Sequence, residues 1–373
     1  MRRYDIVIVG AGPAGSTAAR LLDGRFSVAI VDKKGPKAHF IKPCGGLLAP
    51  DAQKIMASMG LNLPKEILVD PQIFAVRTID LDSGKSRYYQ RFYLNIDRRK
   101  FDRWLMEQIP SQVERIWGNC IAIEKGKNGY YLTIRREDGE RESVFAARLI
   151  GADGAHSLVR RTFFPTRKIR RYTAIQQWFE QRDAHPLYSC FFDSENTDCY
   201  SWTVSKDGYF LYGGAFPQKQ ARERFERQKA RLAGIGYAVD RPLRTEACEV
   251  LRPTGWRSFC CGKKDVFLAG EAAGMISPSS LEGISSALRS GAILAEALNG
   301  QEDRAIHVYR RRTRKLRGRL FFKLAKCPAL YQPLLRRMVM ASGLAAIKMC
   351  CDREENLIQF EKKTERIDSN RVG

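Results

Sequence analysis

Residues 4–33 constrain this chain more than any other stretch. A short apolar run, Tyr4-Asp-Ile-Val-Ile-Val9, leads into Gly10-Ala-Gly12-Pro13-Ala14-Gly15. A helical segment follows to Leu22, and a second apolar run, Ser27-Val-Ala-Ile-Val31, ends at Asp32. Short β-branched runs without polar alternation suit strands buried on both faces of a parallel sheet. Gly10 permits the tight turn, Gly12 lets a pyrophosphate approach the main chain, and Gly15 lets helix and strand pack closely. Pro13 fits the first helical turn, where a missing N–H does no harm. The free N–H groups of that turn and the helix dipole then face phosphates. Asp32 follows Gly10 by 22 positions, placed to accept hydrogen bonds from a ribose hydroxyl. The pattern predicts a βαβ dinucleotide site and leaves open which dinucleotide it holds.

At 373 residues the chain has room for two domains. It starts Met-Arg-Arg-Tyr-Asp and runs straight into the first strand, with no leader pattern, and no run of about 18 apolar residues is present. Its ten cysteines include the pairs Cys260-Cys261 and Cys350-Cys351 but no C-x-x-C, and there are four histidines, so no metal site is predicted. Reduced thiols in a cytoplasmic protein are the simplest reading. The formal charge of +23 favours anionic partners in general. No nucleic-acid-binding module is recognisable, so nucleic acid is not expected.

After Asp32 and Lys33, the segment Lys42-Pro43-Cys44-Gly45-Gly46 marks a tight turn in which a cysteine reaches a ligand closely. Arg98 opens a helical stretch whose Phe101, Trp104 and Leu105 share one face. A meander is predicted from residue 120 onward. Its last strand runs into Gly151-Ala-Asp153-Gly154, a second close approach of main chain with an acid beside it. Residues 174–216 are aromatic and alternating, as in antiparallel strands of a separate sheet. A buried-strand pattern returns before Gly270-Glu271, and Gly283-Ile284 opens another helix. From residue 304 the chain is helical and basic, with Arg310-Arg-Arg-Thr-Arg-Lys-Leu-Arg-Gly-Arg319 beside apolar residues, a mixture suited to an anionic membrane surface.

Four pieces therefore occur in order: Gly10-x-Gly12-x-x-Gly15 with Asp32; Arg98 with Phe101-Asp102; Gly151-x-Asp153-Gly154 with Ser157 and Arg160; and Gly270-Glu271 with Gly274 and Gly283. Together they resemble FAD-dependent flavoproteins of the p-hydroxybenzoate hydroxylase-like fold. Lys42-Pro-Cys-Gly-Gly46 and the pair Tyr200, Trp202 resemble the geranylgeranyl reductase branch. Thr197, Val204 and Ser205 stand where that branch carries Pro, Phe and Pro.

The resemblance implies a mixed α/β fold. A Rossmann-like FAD-binding domain (residues 1–70, 94–165 and 263–303) is interrupted by an antiparallel-sheet substrate domain (71–93 and 166–262) and followed by a basic helical region (304–373). FAD is the implied cofactor. Gly10, Gly12, Pro13, Ala14 and Gly15 hold its pyrophosphate, and Asp32 and Lys33 its adenosine end. Cys44, Gly45 and Gly46 lie against the isoalloxazine, and Arg98 near the ribityl-pyrophosphate. Asp153 fixes the fold around the cofactor, and Gly270, Glu271 and Gly274 meet the ribityl chain. Gly283 and Ile284 offer N–H groups to the flavin C2 carbonyl, where reduced flavin carries negative charge. Gln176, Trp178, Tyr200 and Trp202 are the candidate substrate residues, and Cys44 the candidate catalytic one, as a proton source or positioning group. The implied activity is hydride transfer from reduced FAD to a C=C bond of a polyisoprenoid or related lipid, with NADPH or a reduced carrier protein as electron donor. The fold also supports an FAD-dependent monooxygenase of an apolar or aromatic substrate, or a non-catalytic flavin-containing lipid-binding protein. The expected partners are an apolar lipid-like molecule and, through the basic helices, the inner face of the cell membrane.

Overall fold

The computed structural model describes residues 1–33, 35, 42–180, 188–300 and 302–347. The first strand, Arg2–Val9, buries Ile6, Val7 and Ile8 completely. A strand with no polar alternation must be covered on both faces, and this one sits inside a parallel sheet. It pairs parallel with Val28–Asp32 on one side and with Arg141–Gly151 on the other. Across the sheet the strands run Gly262–Lys263, Val266–Leu268, Arg141–Gly151, Arg2–Val9, Val28–Asp32 and Glu114–Trp117. The predicted meander is present: Asn119–Lys125, Tyr130–Arg135 and Arg141–Gly151 pair antiparallel in succession. Helix Pro13–Leu21 packs against helix Ile284–Gly300, which brings the two ends of this layer together.

The second sheet contains the aromatic stretch. Its order is Arg244–Arg252, Arg170–Glu180, Tyr209–Pro217, Tyr200–Lys206, Tyr188–Phe192, Ile73–Asp80, Lys85–Asn95 and Leu47–Leu48. Alternation divides its side chains between two faces. On one face, Ile175, Phe179, Tyr212 and Phe216 pack under Phe225 and Leu232 of helix Ala221–Ala233. The opposite face carries Ala174, Tyr188, Tyr200, Trp202 and Ala215 toward the first sheet.

Four helices follow: Ala305–Arg312, Arg314–Phe322, Cys327–Tyr331 and Pro333–Ser342. The last is fastened to the second sheet through Arg336. This side chain is only 3% exposed and bonds Asp80 at 2.8 Å and Asp82 beside it. The rest of the predicted helical region, residues 348–373 with Cys350 and Cys351, lies outside the described residues. The eight cysteines among the described residues are free. Among the described residues, no helix is long and apolar enough to cross a membrane, and no His, Cys, Asp and Glu group is arranged to hold a metal.

Candidate functional site

The C-terminal end of the first strand opens a cavity of about 940 Å³ that runs between the sheets. At its entrance the main chain is packed so closely that side chains are excluded. Gly10 has φ of +100°, and a Cβ there would lie 2.5 Å from the Ala152 carbonyl oxygen. A Cβ on Gly15 would lie 1.9 Å from the Gly10 carbonyl oxygen. The turn therefore presses helix Pro13–Leu21 onto the strand end. Pro13 stands in its first turn, and its N-cap residue, Gly12, makes no side-chain cap bond. The space a Gly12 Cβ would occupy is open. Uncapped first-turn N–H groups and the helix dipole thus face the cavity, as an anionic diphosphate requires. Asp32 lines the cavity at the end of its strand, and its carboxylate accepts the Ala11 N–H.

Charged groups gather in the middle. Arg98 and Asp102 form a buried pair, Nε to Oδ1 2.7 Å, with both side chains about nine-tenths covered. Burial pulls the guanidinium down, but the Asp102 carboxylate and the neighbouring Cys44 thiol outweigh it and hold Arg98 charged. The same cysteine sulfur accepts the Gly46 N–H at 3.4 Å. Lys42 donates to Glu271, whose other oxygen accepts the Leu251 N–H at 2.9 Å. Burial works against the lysine charge and Glu271 restores it, so its pKa ends above the usual value. Asp153 accepts the Leu158 N–H at 2.6 Å through one oxygen, while its buried Oδ1 has no partner in the protein. Burial raises its pKa. That unpartnered oxygen, the open helix terminus and a charged Arg98 fit a polyhydroxylated diphosphate such as FAD.

The far end is aromatic. Tyr93, Tyr188, Tyr200 and Trp202 line it, with Tyr93 and Tyr188 edge to face at 6.0 Å and Tyr200 and Trp202 at 5.7 Å. Trp202 stands opposite Gly213 in the ladder and lies over it. Its indole also faces Gly45, and its buried N–H has no partner in the protein. Tyr200 donates to the Ser280 carbonyl at 2.7 Å. Gly283, Ile284 and Ala287 bring the start of helix Ile284–Gly300 to the same space. Below the Cys44–Gly46 turn lies Lys206, 5% exposed, bonded to Asn95 Oδ1 at 2.6 Å and the Ile96 carbonyl at 2.7 Å. It also reaches the Gly46 carbonyl at 3.4 Å. Gly46 has φ of +63°, and a Cβ there would sit 2.5 Å from the Ile96 oxygen, so only glycine fits. Burial pushes the Lys206 amine down to about 8.

The structure brings Gly10, Gly12, Pro13, Ala14, Asp32, Lys33, Cys44, Gly45, Gly46, Arg98, Asp153, Glu271, Gly283, Ile284, Tyr200 and Trp202 to this one cavity. Gly15, Gly270 and Gly274 lie behind its wall and set close packing there. Gln176 and Trp178, expected as substrate residues, lie on the same sheet face as Ala174 and Trp202 but outside the cavity lining. Gln176 pairs directly across the ladder with Glu246, and Gln176 Nε2 and Trp178 Nε1 both donate to Glu246 Oε2 at 3.1 Å. Lys42, Tyr93, Tyr188, Asn95 and Lys206 escaped the sequence reading as site residues. Lys42 precedes the Pro-Cys-Gly-Gly turn and carried a signal; the others are joined to the site only by strand pairing.

The FAD binding domain family model matches residues 3–322. The chain belongs to that family, FAD is its cofactor, and it is an FAD-dependent oxidoreductase. Protein CbrA of Escherichia coli strain K12 is 46% identical over 355 residues, 94% of this chain and 100% of CbrA. A geranylgeranyl bacteriochlorophyll reductase-like protein of Thermoplasma acidophilum is 21% identical with a TM-score of 0.74, over 91% of each chain. A probable FAD-dependent monooxygenase, pqsL of Pseudomonas aeruginosa, is 18% identical with a TM-score of 0.64, over 91% of this chain and 100% of its own. The two solved structures share the fold.

Proposed function

We propose that this protein reduces carbon–carbon double bonds of a polyisoprenoid or related lipid. The observation that carries the reading is the aromatic chamber of Tyr93, Tyr188, Tyr200 and Trp202, which opens directly onto the Cys44–Gly46 turn. Repeating branched alkenes carry no charge and few polar atoms, and aromatic faces bind them by area and shape. FAD, when bound, supplies the hydride. The N-terminus of helix Pro13–Leu21 and Asp32 would hold its adenosine-diphosphate end, and the buried guanidinium of Arg98, beside the Cys44 turn, would face its diphosphate. Gly283 and Ile284, at the start of helix Ile284–Gly300, would offer N–H groups to negative charge on the reduced ring. The Trp202 indole lies against Gly45, where chamber and turn meet. In this reading Cys44, whose Sγ meets Arg98 and accepts the Gly46 N–H, gives a proton to the substrate carbon or positions the substrate. NADPH or a reduced carrier protein is the proposed electron donor. The likeness to a reductase-like protein of the same fold supports this reading, and the likeness to a probable monooxygenase supports hydroxylation as the second.

An anaerobic experiment separates them. Holoprotein is reduced with dithionite, polyprenyl lipids are added without oxygen, and the flavin spectrum and lipid mass are followed. Reoxidation with a gain of two hydrogens per double bond is the expected result. No reoxidation under nitrogen, with an oxygenated product once air enters, transfers the reading to the monooxygenase.

A further inference from the structure

Helix Pro333–Ser342 faces the opposite way from an ordinary surface helix. Its inward side is Arg336 and Met340, both 3% exposed. Its outward side is Leu334, Leu335, Met338 and Val339, at 71%, 38%, 62% and 42% exposure. Leu334 with Met338 and Leu335 with Val339 are four apart, so they form one stripe. The orientation is enforced. Burying the stripe would turn Arg336 away from Asp80, which is itself fully buried, and from Asp82. Leu344, just past the helix, is 74% exposed, and so is Phe322 at the end of an earlier helix. Contiguous apolar surface held outward in this way marks an interaction site.

The charge of the helical region it belongs to selects the partner. Residues 304–347 contain 12 Lys and Arg and no Asp or Glu. Arg314, Lys315, Arg319, Lys326 and Arg337 are exposed. Lys323, in the same helical layer, lines the cavity. A second copy docking through this face would set one cationic surface against another. A surface of anionic headgroups over hydrocarbon complements both features at once.

We infer that helix Pro333–Ser342 docks on an anionic lipid bilayer, its Leu334, Leu335, Met338 and Val339 stripe entering the interface while exposed Lys and Arg of the same helical region meet the headgroups. The inference stands on the surface alone and does not depend on what the cavity reduces. The test is sedimentation of full-length holoprotein with phosphatidylcholine vesicles, with and without phosphatidylglycerol. Binding to the phosphatidylglycerol vesicles alone is expected, and it weakens as salt is raised. The double variant Leu334→Ser, Met338→Ser is expected to keep its flavin and its Tm and to bind about tenfold more weakly or worse, since two inserted apolar side chains are lost. Failure of the parent to bind overturns the inference, as does equal binding by the double variant. A parent that is dimeric in solution, does not bind vesicles and becomes monomeric in the double variant assigns the face to a second copy and also overturns it.

Discussion

The two ends of the cavity are built from different parts of the chain. At the nucleotide end the wall is main chain: Gly10 and Gly15 leave no room for a Cβ, and Gly12 leaves a helix terminus open. At the aromatic end the wall is side chain: four rings from three strands of one sheet, seated by pairing between residues far apart in sequence. A wall of main chain admits almost no substitution, because any added atom displaces the backbone itself. A wall of side chains tolerates change in shape and selects its ligand through that shape. A common cofactor suits the first kind of wall and a particular substrate the second.

The comparison is most easily broken at Gly15. Gly15→Val places atoms on the Gly10 carbonyl and is expected to cost about 4 kcal/mol or more, leaving little flavin-loaded protein. Flavin absorbance per mole of purified protein and Tm report this, and a fully loaded variant would end the distinction between the two walls. Lys206, at the junction, has an intermediate effect that depends on pH. An unfolded lysine titrates near about 10.4, so between pH 8 and that value the unfolded chain holds a proton that the native state does not. Stability from this group therefore rises with pH across that window, by up to about 3 kcal/mol. Denaturant unfolding of the parent and of Lys206→Met at stepped pH isolates the slope, which the variant should lack. The smallest effect belongs to the aromatic wall. Tyr200→Phe removes one hydrogen bond to Ser280 and should cost about 1 kcal/mol. It should retain flavin and raise KM for the proposed lipid substrate; loss of flavin instead would show that the two ends act as one.

How much of this was legible from the sequence follows the same division. The glycines from Gly10 to Gly15 and the acid Asp32 were readable because their roles depend on neighbours within one turn or one strand length. Tyr200 and Trp202 were readable as an alternating pair, and they do share a face. Gln176 and Trp178 show the same alternation but join a different network, because both donate to Glu246, which stands opposite Gln176 in the neighbouring strand. Alternation identifies a face and cannot say which part of that face meets the ligand. Tyr93 and Tyr188 reach the chamber from strands separated by 95 residues, through the parallel pairing of Ile73–Asp80 with Tyr188–Phe192 and the hairpin to Lys85–Asn95.

The basic helices followed a similar course. Clustered Arg beside apolar residues suggested a charged, lipid-facing surface, but composition could not choose which side of a helix turns outward. Arg336 makes that choice by reaching Asp80 and Asp82 across more than 250 residues. By itself, the sequence determined the nucleotide turn, the parallel strands and the cationic character of the last helices, because short-range sterics and local charge decide those; FAD followed from the resemblance its motifs carry. Only the tertiary structure decided which aromatic residues form the chamber, which lysine supports the Cys44–Gly46 turn and which helix face is left apolar. Each of these depends on strand register and on buried ion pairs between distant segments, where the energy of a contact is settled only once the whole chain is in place.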